Sequence, residues 1–243
     1  MIYTLYRPQT FSQVLGQGDL IDILKAQAKT GDFHHAYLFY GDSGTGKTST
    51  ARILAMALNC QAMDGIGEPC LKCQSCQAIA KGNSWDVIEF DSSSIRIEEA
   101  KEIKARAYLA PFGNKKVYIF DECQLLTEAV FNSLLKLLEE PPPHLTIILT
   151  TTAIPTQGNP MKSSHKIPLT VLSRCQLYSF SKLTASDIKG KLKRIAQDLG
   201  LEVEENALNF IAETSCGNMR CAENLLEQCF NSGKYLKGKG EVK

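Results

Sequence analysis

Four short apolar runs punctuate the chain: "AYLFYG" (36–41), "DVIEFD" (86–91), "KVYIFDE" (116–122) and "LTIILTTT" (145–152). Each is too short for a helix and is bounded by polar or turn-forming residues, so each predicts a buried strand. Between them the apolar positions switch to helical spacing. Ala51, Ile53, Leu54, Ala57 and Leu58 predict a helix from near Gly46 to about Asn59, and 97–109 and 127–140 carry the same period. Strands alternating with helices imply parallel pairing through crossover helices, an α/β fold. The run "EEPPPH" stops the 127–140 helix, because proline lacks the amide hydrogen and restricts the residue before it. From about Thr184 the pattern is helical throughout, in three segments that each end at or beside glycine. The expected organisation is an α/β domain over 1–178 and a small all-helical domain over 179–243. The Pro-, Gly- and Ser-rich stretch 153–166 reads as an exposed, mobile loop, and the polar tail "KYLKGKGEVK" as a frayed end.

A chain of 243 residues can bury a core without disulfides, and 44% hydrophobic with 22% charged residues is ordinary globular usage. No apolar run approaches the ~20 residues of a membrane helix, and the start lacks the apolar stretch of a signal peptide, so a cytoplasmic location without membrane contact is expected. The net charge of +1 supplies no global field for nucleic acid, so such a contact has to be local. Nine cysteines in a reducing compartment read as thiols or metal ligands.

The segment "GDSGTGKT" (41–48) matches G-x-x-x-x-G-K-[ST] between a predicted strand and a predicted helix. Gly41, Gly44 and Gly46 let the backbone turn so that amides from Asp42, Ser43, Thr45 and on to Ser49 face phosphates, aided by the helix dipole. Lys47 would neutralise the β and γ phosphates of ATP, and Thr48 would ligate Mg²⁺. Asp121, at the end of "VYIF", is placed to hold the same metal, and Glu122 to orient or deprotonate the attacking water.

Four clustered cysteines form a second constellation: Cys60 at the end of the phosphate-loop helix, then Cys70, Cys73 and Cys76 in "CLKCQSC". Four thiolates at such spacing suit tetrahedral Zn²⁺ and leave no open position, which points to a structural site in an excursion of about 60–80. An iron–sulfur cluster takes the same ligands, and buried free thiols or a redox pair are the plainer alternatives. Asp64 and Glu68 are the acids within the loop.

Taken with "YRPQTF", "HHAYLFYG", "FNSLLKLLEEPP" and "LSRC", these motifs resemble the gamma/tau family of bacterial DNA polymerase III subunits over nearly the whole chain. Those subunits are AAA+ P-loop ATPases, the motors of the sliding-clamp loader. The resemblance implies a central parallel sheet flanked by helices, an inserted four-cysteine zinc module and a helical lid. It implies that Arg174 in "LSRC" is an arginine finger acting in trans on a neighbour's γ-phosphate, and that Thr152, with Thr151 adjacent, senses that phosphate. It further makes Arg220 in "GNMR" a second sensor and places Arg7 and Pro8 near the adenine. The implied partners are copies of this chain, delta- and delta-prime-type subunits, the beta sliding clamp and primer–template DNA, in a nucleoid-associated replisome. DNA contact is expected around 92–107. Two alternatives stand beside this reading: a non-hydrolysing interaction subunit of the same complex, and another AAA+ motor of replication or repair. The sequence departs from the family in its longer 153–166 segment, in "DECQ" at 121–124, and in ending where the family continues into a further helical domain.

Overall fold

The structure, a computed structural model, describes residues 1–152 and 167–232; the expected loop 153–166 and the tail lie outside the described residues. These residues divide into two units. One comprises Pro8–Gly41 and Lys47–Phe180, the other Met1–Arg7, Asp42–Gly46 and the chain from Ser181.

The first unit is built on five parallel strands: β1 (Ala36–Gly41), β2 (Val87–Asp91), β3 (Lys116–Asp121), β4 (Leu145–Thr151) and β5 (Gln176–Phe180), in the order β2-β3-β4-β1-β5. All four neighbouring pairs are parallel. The four expected strands are present within a residue or so, and β5 is a fifth that the apolar pattern did not announce. Alternate residues of the central strands feed two cores. Tyr37, Phe39, Val117, Ile119 and Ile148 pack on one face against α2 (Gly18–Thr30) and α3 (Lys47–Asn59). Ala36, Leu38, Tyr118, Phe120, Ile147 and Leu149 pack on the other against α5 (Ile97–Ala107) and α6 (Glu128–Glu139), giving a three-layer α/β/α sandwich. A parallel sheet covered on both faces needs such continuously apolar strands, and β4 is buried at every position.

Local chemistry sets the element ends. Thr127 caps α6 by accepting the Val130 N–H, and α6 ends at Glu139 ahead of the prolines. α2 ends at Gly31 in the left-handed conformation. In the second unit a short N-terminal helix, α1 (Ile2–Leu5), accompanies α8 (Ala185–Asp198), α9 (Glu205–Thr214) and α10 (Met219–Ser232). A reciprocal capping box between Thr184 and Asp187 starts α8. The elements α4 (Gln74–Ala80) and α7 (Leu169–Leu172) complete the first unit. Among the described residues no helix is long and apolar enough to cross a membrane.

Candidate nucleotide site and four-cysteine centre

β1 ends at Gly41 and α3 starts at Lys47, so the glycine-rich loop leaves the carboxyl end of a strand with neighbours on both sides. That is the crevice where open α/β sheets bind ligands. Gly41 has φ +142°, and a Cβ there would lie 2.3 Å from the Phe180 carbonyl oxygen on β5, which excludes any side chain. Lys47 is buried, and its Nζ donates to the Gly41 carbonyl at 2.8 Å.

The strand register aligns the acidic end of β3 with the threonine-rich end of β4, since Phe120 pairs with Leu149. Asp121 Oδ1 accepts from Thr48 Oγ1 at 2.8 Å and from the Thr150 hydroxyl. Thr150 in turn accepts the Glu122 N–H at 3.2 Å. Glu122 is exposed and sits in the left-handed region, φ +53° and ψ +47°, with its carbonyl accepting the Leu125 N–H at 2.9 Å. That conformation costs a non-glycine residue about 1–2 kcal/mol. A constraint of that kind, held by bonds on both sides, is characteristic of functional turns.

The resemblance pointed to Thr152, with Thr151 adjacent, and passed over Thr150 in the same run of three. The structure distinguishes them: Thr150 contacts the acidic pair, whereas Thr151 Oγ1 donates to Gln124 Oε1 at 2.7 Å and Gln124 Nε2 donates to Thr152 Oγ1 at 3.1 Å. Gln124, first noted as a departure in "DECQ", is the brace for both later threonines. Thr150 and Gln124 carry no local sequence signal that separates them from their neighbours; only the register does.

The loop segment Asp42–Gly46 belongs with the helical unit. Thr45 is buried and donates to the Asp42 carbonyl at 2.8 Å, Asp42 meets Lys182 at 3.5 Å, and Ser43 is exposed. The N-terminus of α10 docks here, with the Met219 N–H donating to the Gly44 carbonyl at 3.1 Å. Asn218 caps that helix through the Cys221 N–H at 3.0 Å. Gly44 has φ +74°, and a Cβ there would fall 1.9 Å from Asn218 Oδ1. Arg220, the next residue after the docking contact, is exposed, with its guanidinium 5.9 Å from the Tyr3 ring centre. Arg7 closes the N-terminal segment of this unit. Pro8 opens the other unit, and Ser49 is half-buried in the first turn of α3.

Arg174 stands apart from the loop. β5 pairs Gln176 with Tyr37 and Phe180 with Gly41, so Arg174 precedes the sheet edge opposite to the one where the loop begins. The rise along β5 alone is about 13 Å. Its guanidinium donates to Glu139 Oε1 and to the Thr170 carbonyl, each at 2.6 Å.

At the far end of α3 the sulfurs of Cys60, Cys70, Cys73 and Cys76 lie within 4.8 Å of one another. A tetrahedron with metal–sulfur bonds of ~2.3 Å needs sulfur separations of about 3.8 Å, which this cluster suits. Backbone amides already point at the sulfurs: Cys70 N to Cys60 Sγ at 3.4 Å, Cys73 N to Cys70 Sγ at 3.3 Å and Cys76 N to Cys73 Sγ at 3.4 Å. Amide donors bring the Cys70 thiol down to about 6, whereas burial pushes Cys60 and Cys76 up. The donor set therefore fits a thiolate-bound metal ion. Glu68 is not one of the ligands. It is buried and accepts from Phe11 N at 2.7 Å, Ser12 N at 2.8 Å and Ser12 Oγ at 2.7 Å, with Lys25 Nζ at 3.0 Å. It ties the cysteine excursion to the turn Phe11–Gln13 and to α2. Asp64 shapes the approach by accepting the Glu68 N–H at 2.7 Å. Cys123 and Cys175 are buried thiols that burial pushes up, Cys175 to about 12, and so chemically quiet.

A family model described as "DNA polymerase III, delta subunit" matches residues 16–184. Tau of Bacillus subtilis is 42% identical over 97% of this chain, which spans 40% of that protein. Gamma of Buchnera aphidicola subsp. Schizaphis graminum is 40% identical over 94% of this chain, spanning 61% of its own length. Tau of Escherichia coli is 38% identical over 94% of the chain and 34% of its length. The solved structure of the RuvB Holliday junction branch migration motor of Thermotoga maritima superposes with a TM-score of 0.65 over 93% of this chain and 65% of that one, at 20% identity, a likeness of fold. The chain has the AAA+ fold and belongs to the gamma/tau family of DNA polymerase III subunits.

Proposed function

We propose that this chain binds and hydrolyses ATP as the motor subunit of a DNA polymerase III clamp loader, loading a ring-shaped sliding clamp onto primed DNA. One observation carries the hydrolytic part of that reading: the loop residue Thr48 and the strand-end residue Asp121 share a hydrogen bond of 2.8 Å, with Glu122 held in a constrained turn immediately beyond. Thr48 and Asp121 would hold Mg²⁺, which supplies charge neutralisation at the β and γ phosphates. Lys47 binds those phosphates, and Glu122 orients the attacking water and receives its proton. Thr150 keeps Asp121 and the Glu122 backbone in register, with Thr152 and Gln124 next to it as the γ-phosphate-sensing group. Arg220 is the second cationic contact, and Arg7 and Pro8 lie toward the base. A chain that hydrolyses ATP through this site traps it when Glu122 becomes Gln: binding persists and turnover falls about 10²–10⁴-fold. Normal turnover in Glu122→Gln would remove the assignment and favour a non-hydrolysing interaction subunit.

The position of Arg174, beyond the reach of its own loop, supports a finger that completes a neighbouring copy's site. Its pairing with the half-exposed Glu139 is no obstacle, because a surface ion pair is worth only about 0–1 kcal/mol. Other copies of this chain, delta-type subunits, the clamp and primer–template DNA are the proposed partners. The four cysteines hold Zn²⁺, which supplies a structural cross-link with no open position. Metal analysis giving one zinc per chain, without the visible absorbance of an iron–sulfur cluster, checks that identity.

A further inference from the structure

The helical unit contains a buried acid that the nucleotide reading leaves unused. α10 buries Met219, Ala222 and Leu226, and Glu223 falls on the same stripe, only 4% exposed. Helical periodicity asks for an apolar residue at that position. A carboxylate that breaks so local a rule marks a place where function competes with packing.

Its surroundings are cationic. Lys191 of α8 meets Glu223 Oε1 at 2.7 Å and is itself largely buried. Arg220, three residues earlier, shares its helical face. Burial pushes the Glu223 carboxyl up, while the charges of Lys191, Arg220 and Arg7 oppose that shift. One acid thus faces a lysine of α8 across the interior and an arginine one turn earlier on its own helix. The N-terminal segment is fixed to α10 by further contacts: the Ile2 N–H donates to Glu227 Oε2 at 3.2 Å, and Arg220 lies over Tyr3. The residue before Arg220 is the one whose amide binds the Gly44 carbonyl.

We propose that Glu223 is the internal counter-ion that positions Arg220 for the phosphates of a nucleoside triphosphate. It is a positioning residue, acting through Arg220 and not on the phosphates. The inference rests on the nucleotide reading above and on its assignment of Arg220.

The test is equilibrium binding of Mg·ATP and Mg·ADP by the whole chain carrying Glu223→Gln, Arg220→Ala, both together, or the pair Lys191→Met with Glu223→Leu. The last pair removes both charges from the interior, and such replacements by apolar residues of similar size are commonly neutral or stabilising, so it keeps the test open if Glu223→Gln folds poorly. Glu223→Gln and the Lys191/Glu223 pair should each weaken ATP binding about tenfold, with ADP less affected, and Glu223→Gln should add nothing to Arg220→Ala. Wild-type ATP affinity in the folded Lys191/Glu223 pair, or fully additive losses for Glu223→Gln and Arg220→Ala, would overturn the proposal while leaving Arg220 as a nucleotide contact. Wild-type affinity in Arg220→Ala would overturn the assignment of Arg220, and this inference with it.

Discussion

The two ends of α3 hold their polar groups differently. At the first end Lys47 and Thr48 meet a carbonyl and a carboxylate that a ligand can take over: the Gly41 oxygen and Asp121 Oδ1. At the other, Cys60 joins three more sulfurs in a cluster whose backbone amides are already committed to it. The first end stays exchangeable; the second is closed and braced by Glu68. A single helix therefore links polar groups that a ligand could take over to a cluster already committed to its own backbone.

Four changes would break or sharpen that contrast. Removing the metal proposed for the four cysteines should have the largest effect. Thiolate-bound zinc contributes on the order of 10 kcal/mol of apparent folding free energy in small modules, so chelation should melt the segment 60–76, seen as loss of amide protection there. ATP binding should survive that treatment, and its disappearance would mean that the two ends are not separable. Glu68→Ala comes next: stranding the Phe11 and Ser12 amides and the Lys25 ammonium should cost about 3–5 kcal/mol in denaturant unfolding, with Glu68→Gln restoring part of it. A loss below 1 kcal/mol would remove Glu68 as the brace. Lys47→Ala should weaken ATP by about 2–5 kcal/mol, read by calorimetry, and leave the melting temperature of the nucleotide-free chain close to wild type. Thr150→Val should be the mildest, about 0.5–1.5 kcal/mol of stability, with a slower hydrolytic step. Unchanged stability and hydrolysis in Thr150→Val would remove Thr150 as the residue that holds Asp121 and the Glu122 backbone in register.

Much of this was legible in the sequence, for reasons that differ by region. The phosphate loop, α3 and the four apolar strands announce themselves because their constraints are local: glycine at positive φ, helical period, short buried runs. The cysteines announce themselves by spacing. β5 does not, because as an edge strand it buries only Tyr178 and Phe180, and "QLYSF" therefore carries little apolar signal. The bonds that orient the site are long-range and equally silent. Glu68 reaches residues 56 and 57 positions away, Thr150 is singled out from Thr151 and Thr152 only by pairing register, and Glu122 adopts a left-handed turn that its residue type does not favour. Glu223 carries no signal of its own in the sequence; its partner Lys191 lies 32 positions away on α8 and meets it only in the folded chain.

The most direct test of an arginine finger acting in trans is a complementation assay of turnover. Arg174→Ala and Lys47→Ala chains, assembled with the other loader subunits, clamp and primed DNA, are each expected to hydrolyse ATP poorly. Mixed together they should recover activity, because the Lys47→Ala copy supplies an intact Arg174 to the intact nucleotide site of its neighbour. A mixture that assembles and binds ATP yet remains as slow as either parent, or an Arg174→Ala chain that turns over at the wild-type rate alone, would contradict a finger acting in trans.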